Sequence, residues 1–129
     1  MATEVPYQGY RINHWRDQIV QTIDELLALE EDWDSYGANR ISPKACERTL
    51  ALLDAIMTDD TAAPQVAPLS CGGIQLEWHQ DGYDIEIGIQ DEGQPSVYCD
   101  EPGAQEGEEW MLGDLTRIRR IVRGLRDGQ

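Results

Sequence analysis

Between Gly72 and Cys99 the chain reads GGIQLEWHQDGYDIEIGIQDEGQPSVYC, a period-two alternation that leaves few folds open. Ile74, Leu76 and Trp78 alternate with Gln75, Glu77 and His79, and Tyr83, Ile85, Ile87 and Ile89 alternate with Asp84, Glu86, Gly88 and Gln90. Apolar residues at every second position mark strands with one buried face. The stretch therefore predicts an antiparallel sheet, dry on one side and rich in carboxylates on the other. Asp81-Gly82 suits the two left-handed positions of a type I′ hairpin turn. A two-residue loop pairs Gln80 with Tyr83 and fixes the rest of the register. Trp78 then faces Ile85, Leu76 faces Ile87, His79 faces Asp84 and Glu77 faces Glu86. The last pair sets like charges directly across a ladder, which is destabilising. It implies either a face selected for acidity or one offset by a basic element.

Helical periodicity flanks the sheet. Ile12, Trp15, Ile19, Ile23, Leu26 and Leu27 form one apolar stripe and predict a first helix from about Tyr10 to Glu31. The acidic run Glu30-Glu31-Asp32 is unfavourable at a helix C-terminus and supports a stop there. In the following Trp33-Asp34-Ser35-Tyr36-Gly37-Ala38, Trp33 and Tyr36 are expected to close the core over the helix junction. Gly37 would supply a left-handed turn, with Asp32 and Asp34 as exposed acids. Ser42-Pro43 reads as an N-cap and first helical position, and Cys46, Thr49, Leu50, Leu53, Ile56 and Met57 face the core from this second helix. Thr58 to Pro64 is a linker, and Gln65 to Cys71 a short strand that Pro68 confines to an edge.

After the meander, residues 100–109 read as a mobile acidic loop, and a last helix starts at Trp110 or Gly113 and ends at Leu125. Leu115, Ile118, Ile121, Val122 and Leu125 form its stripe, and Arg117, Arg120 and Arg123 lie away from it. Residues 1–9 are a loose lead-in, and no repeat or second domain is visible. Residues 1–129 thus read as a single α+β domain. Two N-terminal helices, an antiparallel β-meander of three to four strands and a C-terminal helix make it up, with the helices packed on one sheet face. Four Trp and five Tyr anchor a core that has no Phe.

Charge narrows the function classes. The formal net charge is −15, unevenly spread. Residues 1–112 carry 23 acidic and 5 basic side chains, while 113–129 carry 2 and 5. The body should repel nucleic acid and anionic membrane and attract basic proteins. Plain solvation is the alternative meaning of such acidity. The C-terminal arginines either form a basic outer helix face or fold back on the acidic sheet or the 100–109 loop. No apolar run is long enough to span a bilayer and no secretory signal is visible, so a cytoplasmic location is expected. Cys46, Cys71 and Cys99 are odd in number and widely spaced, as reduced thiols are. With His14 and His79 they make no ligand spacing, so neither a metal site nor a cofactor is expected.

Glu77, Asp84 and Glu86, with Asp100 on a third strand, form a candidate carboxylate row. Such a row is able to bind a divalent cation, to act as an acid–base pair, or to dock an arginine-rich partner. His79 opposite Asp84 suits a general base, with Cys71 or Cys99 as conceivable nucleophiles. Cys99 shares parity with Val97, however, and so points to the core, and Cys71 precedes a Gly72-Gly73 turn. Catalysis by a cysteine is therefore not favoured.

Two segments resemble a group of small, acidic, uncharacterised bacterial and phage proteins. One is ALEEDWDSYGANRISPKA, with Trp33-Asp34-x-Tyr36-Gly37-Ala38 and Ser42-Pro43; the other is GGIQLEWHQDGYDIEIGI. The size and acidity of that group are like those of antitoxins, immunity proteins and phage-encoded inhibitors, an analogy rather than a shared motif. The sequence thus points to a non-enzymatic protein that restrains a basic partner such as a toxin, nuclease or defence component. Carboxylates would stand in for phosphate on the partner's surface. Glu77, Asp84, Glu86, Asp100, Glu108 and Glu109 are the expected contacts, with Trp110 or Trp33 as buried anchors. A small metal-binding or carboxylate-based enzyme domain, and a structural subunit or homodimer, are the alternatives.

Overall fold

The computed structural model describes residues 14–126. Three helices and five strands follow in the order α1 (His14–Leu27), α2 (Pro43–Ile56), β1 (Gln65–Pro68), β2 (Ile74–Trp78), β3 (Asp84–Ile89), β4 (Ser96–Asp100), β5 (Glu108–Met111) and α3 (Thr116–Gly124). The strands form one antiparallel meander in sequence order, β1-β2-β3-β4-β5. The β2–β3 register is the one expected: Trp78 pairs with Ile85, Leu76 with Ile87 and Glu77 with Glu86. Asp81 (φ 54°) and Gly82 (φ 83°) make the turn, and the Tyr83 amide donates to the Gln80 carbonyl at 2.8 Å. β1 is an edge strand, as Pro68 requires.

The sheet has five strands, not three or four. The segment read as an acidic loop over 100–109 is shorter than expected, because Asp100 ends β4 while Glu108 and Glu109 open β5. Trp110 lies in that strand rather than in the last helix, which starts only at Thr116. The sequence EEWM lacks alternation and begins with two residues of poor strand propensity, so nothing local announces it. Pairing with β4 makes it a strand, and two glutamates on an outer edge oppose further edge pairing.

The inner sheet face packs Ile74, Leu76, Trp78, Ile85, Ile87, Ile89, Val97 and Cys99 into one core with all three helices. α1 supplies Trp15, Ile19 and Ile23, and α3 supplies Ile118, Ile121 and Val122; Ile12 lies outside the described residues. α2 buries the expected Cys46, Thr49, Leu53, Ile56 and Met57, leaves Leu50 half-buried, and adds Ala45 and Leu52. Tryptophan N–H groups entering this core keep a partner, as burial demands. Trp15 donates to the Thr58 carbonyl at 3.1 Å, and Trp78 to that of Ala62 at 2.8 Å.

Local polar groups define the helix ends. Ser42 caps α2, its hydroxyl accepting from the Ala45 amide at 3.1 Å, with Pro43 at the first helical position. Replacing Ser42 by Ala strips that amide of its acceptor and should cost about 1 kcal/mol, read as a lower urea midpoint with unchanged slope. α1 stops at Leu27, four residues before the expected Glu31. The chain then turns through left-handed Asp32, Ser35 and Gly37. Asp32 and Asp34 are not idle acids there. Asp32 accepts from the Gly37 amide at 2.7 Å, and Asp34 from the amides of Tyr36 (2.8 Å) and Ala38 (3.1 Å). Trp33 packs on the core as expected, but Tyr36 does not: the reversal at Ser35 throws it outward, and it is 91% exposed.

Three of the arginines of α3 make contacts within the fold, while Arg120 is exposed. Arg119 donates to the Ala55 carbonyl at 3.0 Å and Arg123 to that of Ile56 at 3.2 Å, satisfying carbonyls that the end of α2 leaves open. Arg117 bridges Glu101 and Glu108 and lies over the Trp110 ring, 4.3 Å from its centroid. Folding back on the acidic 100–109 segment is therefore observed for Arg117, while Arg119 and Arg123 turn instead to the end of α2.

Candidate functional site

With every helix on the inner side, the outer sheet face is uncovered by any described element. Register places its side chains. Gln65, Glu77, Glu86, Tyr98 and Glu109 are successive cross-strand partners and make one rung; Ala67, Gln75, Gly88, Ser96 and Met111 make the next. Asp84 pairs with Asp100 at the far side of the first rung. The fold thus brings five of the seven expected residues together: Glu77, Asp84, Glu86, Asp100 and Glu109. Glu108 and Trp110 are not among them. They share rungs with Cys99 and Val97, whose side chains are buried inward, and are joined by Arg117.

The like-charge pair Glu77–Glu86 has its offset in a neighbour. His79 Nδ1 lies 2.7 Å from Asp84 Oδ1, and Nε2 lies 3.1 Å from Glu77 Oε1. Both ring nitrogens face carboxylate oxygens, and only an imidazolium has two N–H donors to give them. The bond to Asp84, then that to Glu77, raises the His79 pKa above the ordinary value. Glu77 is also held by the Gln75 amide at 2.8 Å, and this bond followed by the one to His79 lowers its pKa. In this state the ring has no lone pair free to take a proton from a substrate. Cys99 lies on the opposite side of the sheet, where burial pushes its thiol pKa up.

A raised histidine pKa stabilises the fold fully below the unfolded value of about 6.5, and the contribution is lost as pH rises through the folded value. A lowered glutamate pKa acts the other way: its contribution is present above the unfolded value and lost as pH falls through the folded one. The His79 side chain is 44% exposed, so solvent screens the pair and the effect is on the order of 1 kcal/mol or less. Urea midpoints should fall between pH 5.5 and 8.5 in the native protein and change less in His79→Gln. Equal slopes would show the bridge to be energetically silent.

Neutralisation is local, and what it leaves is informative. Glu77 and Asp84 face His79, while Glu101 and Glu108 face Arg117. Among the described residues, Glu86 and Glu109 have no basic partner. They flank Tyr98 from β3 and β5, about 10 Å apart at strand spacing. The Tyr98 phenol registers the local environment: desolvation, then the charges of Asp100, Asp84, Glu86 and Glu109, raise its pKa.

Between these two acids the face is concave. A depression of ≈ 420 Å³ is lined by Gln75, Glu86, Gly88, Ser96, Tyr98 and Glu109, with Met111, Val97 and the expected Trp110 also touching it. Gly88, Tyr98 and Met111 were not among the expected site residues. Gly88 was the available signal, since an isolated glycine in a strand marks a bulge or a close approach. Among the described residues, no group of three or more His, Cys, Asp or Glu side chains is placed to hold a metal ion. Nor is any described helix long and apolar enough to cross a membrane. No protein-family model, curated protein or solved structure matches the chain.

Proposed function

We propose that this is a non-enzymatic, cytoplasmic binding protein whose outer sheet face docks on a basic protein and restrains it, in the manner of an antitoxin, immunity protein or phage-encoded inhibitor. One observation carries the reading. Among the described residues, Glu86 and Glu109 stand without basic partners on a face that no described element covers, while Arg117, Arg119 and Arg123 are committed to contacts elsewhere in the chain. The partner's lysines and arginines would meet carboxylates in the place of phosphate. Long-range attraction from a net charge of −15 speeds the encounter, and contact at the depression sets the lifetime.

Affinity capture from native cell extract tests this, eluting first at low and then at high salt and identifying what is retained. One basic protein held stoichiometrically and released by salt is the expected result. Recovery of the chain alone would remove the docking reading and leave self-assembly or plain solvation.

A further inference from the structure

We propose that the depression on the outer sheet face seats a single arginine side chain of the basic partner. The inference rests on the docking reading above and deepens it by naming the residue type and its place.

The depression has a bare floor, an aromatic wall and acids on two sides. The floor is Gly88; a Cβ there would lie 3.1 Å from Ser96 Oγ, so even a small side chain would begin to fill the space. The wall is Tyr98, whose ring rests on Gly107, where an added Cβ would fall 2.5 Å from the phenol oxygen. Only glycine at 107 lets the ring lie there. Glu86 and Glu109 flank the ring, and the half-exposed Met111 (57%) offers a polarizable surface for an aliphatic stem.

A guanidinium matches this set better than an ammonium. It is planar and weakly hydrated, stacks on aromatic faces, and directs donors to two carboxylates at once. Lysine brings a compact, strongly hydrated charge that gains less from the ring.

The chain itself displays the mode. On the inner side of β5, Arg117 lies over Trp110 and bridges Glu101 and Glu108: one aromatic ring, two carboxylates, one arginine. Tyr98, Glu86 and Glu109 repeat that constellation on the outer side without the arginine.

The probe is a blocked Gly-Arg-Gly peptide titrated into the ¹⁵N-labelled full chain, with Gly-Lys-Gly as comparator. Saturable shifts at Gly88, Ser96 and Tyr98 are expected, with the lysine peptide at least about threefold weaker. Gly88→Val, which fills the floor, should weaken the arginine peptide at least about tenfold while the remaining spectrum is kept. Should Gly88→Val fail to fold, Tyr98→Leu removes the π face and should abolish the preference for arginine.

Equal response to both peptides, shifts centred on Asp84 and Asp100, or indifference to these variants would overturn the seat. So would a dimer by light scattering that dissociates in Arg120→Gln, because the occupant would then be a second copy. The two readings fail differently. Reversal of Glu86 and Glu109 without effect on partner binding removes the docking face itself. Loss of partner binding on that reversal, with no arginine preference, removes only the seat.

Discussion

Replacing Trp78 by Ala is expected to lower the unfolding free energy by about 3–5 kcal/mol, the largest stability effect of any single change considered for this chain. Trp78 is 1% exposed and is the largest fully buried side chain. It occupies the inner end of β2 opposite Ile85, and its indole N–H reaches the Ala62 carbonyl. The change therefore leaves a cavity between sheet and helices and an unpaired carbonyl in the segment leading to β1. Small domains are stable by only about 5–15 kcal/mol, so the variant should sit near the edge of folding. Trp78→Phe separates the two effects, keeping most of the volume but leaving the carbonyl unpaired, at about 1–3 kcal/mol. Tyr36→Ala is the matched control: at 91% exposure it should change stability by no more than about 0.5 kcal/mol. Guanidinium denaturation followed by circular dichroism orders the three. A Trp78→Ala loss as small as that of Tyr36→Ala would contradict the core described.

The second large effect is on binding. Glu86→Lys combined with Glu109→Lys should weaken association with the captured basic partner at least about a hundredfold, roughly 2.7 kcal/mol, because each reversal sets like charge against like. Neither residue has a basic partner among the described residues, so no ion pair within the fold is broken. Stability should hold or rise slightly as repulsion between Glu77 and Glu86 is relieved. Reversing Glu77 is a poorer test, since it also breaks the contacts with Gln75 and His79. The control is Glu25→Lys with Glu47→Lys, an equal change of charge on exposed positions of α1 and α2, away from the sheet's outer face. It should alter the on-rate a few-fold through the general field and leave the dissociation rate nearly unchanged. Equal losses in both double variants, measured by isothermal calorimetry and stopped-flow, would show that total charge matters and the face does not.

Much of the fold was legible wherever structure is decided by neighbours in sequence. The β2–β3 register could be read because a two-residue turn at Asp81-Gly82 leaves one pairing open, and a slip by one residue would turn Ile85, Ile87 and Trp78 to water. Ser42 and Pro43 marked the start of α2 for the same reason: a cap acts on amides within one turn. The acidic face was legible too, since parity alone puts Glu77, Asp84 and Glu86 on the side opposite Ile85 and Ile87. The glycine at 88 stood in that alternation, but its meaning as a floor depends on Ser96 and Tyr98 from another strand.

The alternation of this chain by itself determined a half-buried antiparallel sheet with carboxylates on its wet side, because a strand's two faces are set by a local period of two. Only the tertiary structure decided which of those carboxylates keep their charge unanswered. β5 exists because β4 is there to pair with it, and it carries Glu109 outward and Glu108 inward. Arg117 comes from a helix that follows β5 and meets Glu101 and Glu108, while His79 reaches both across and along its own hairpin to Asp84 and Glu77. These partners lie on different elements, and a charge is neutralised by what is near in space. That separation leaves Glu86 and Glu109, with Asp100, as the acids beside Tyr98 that have no basic partner among the described residues.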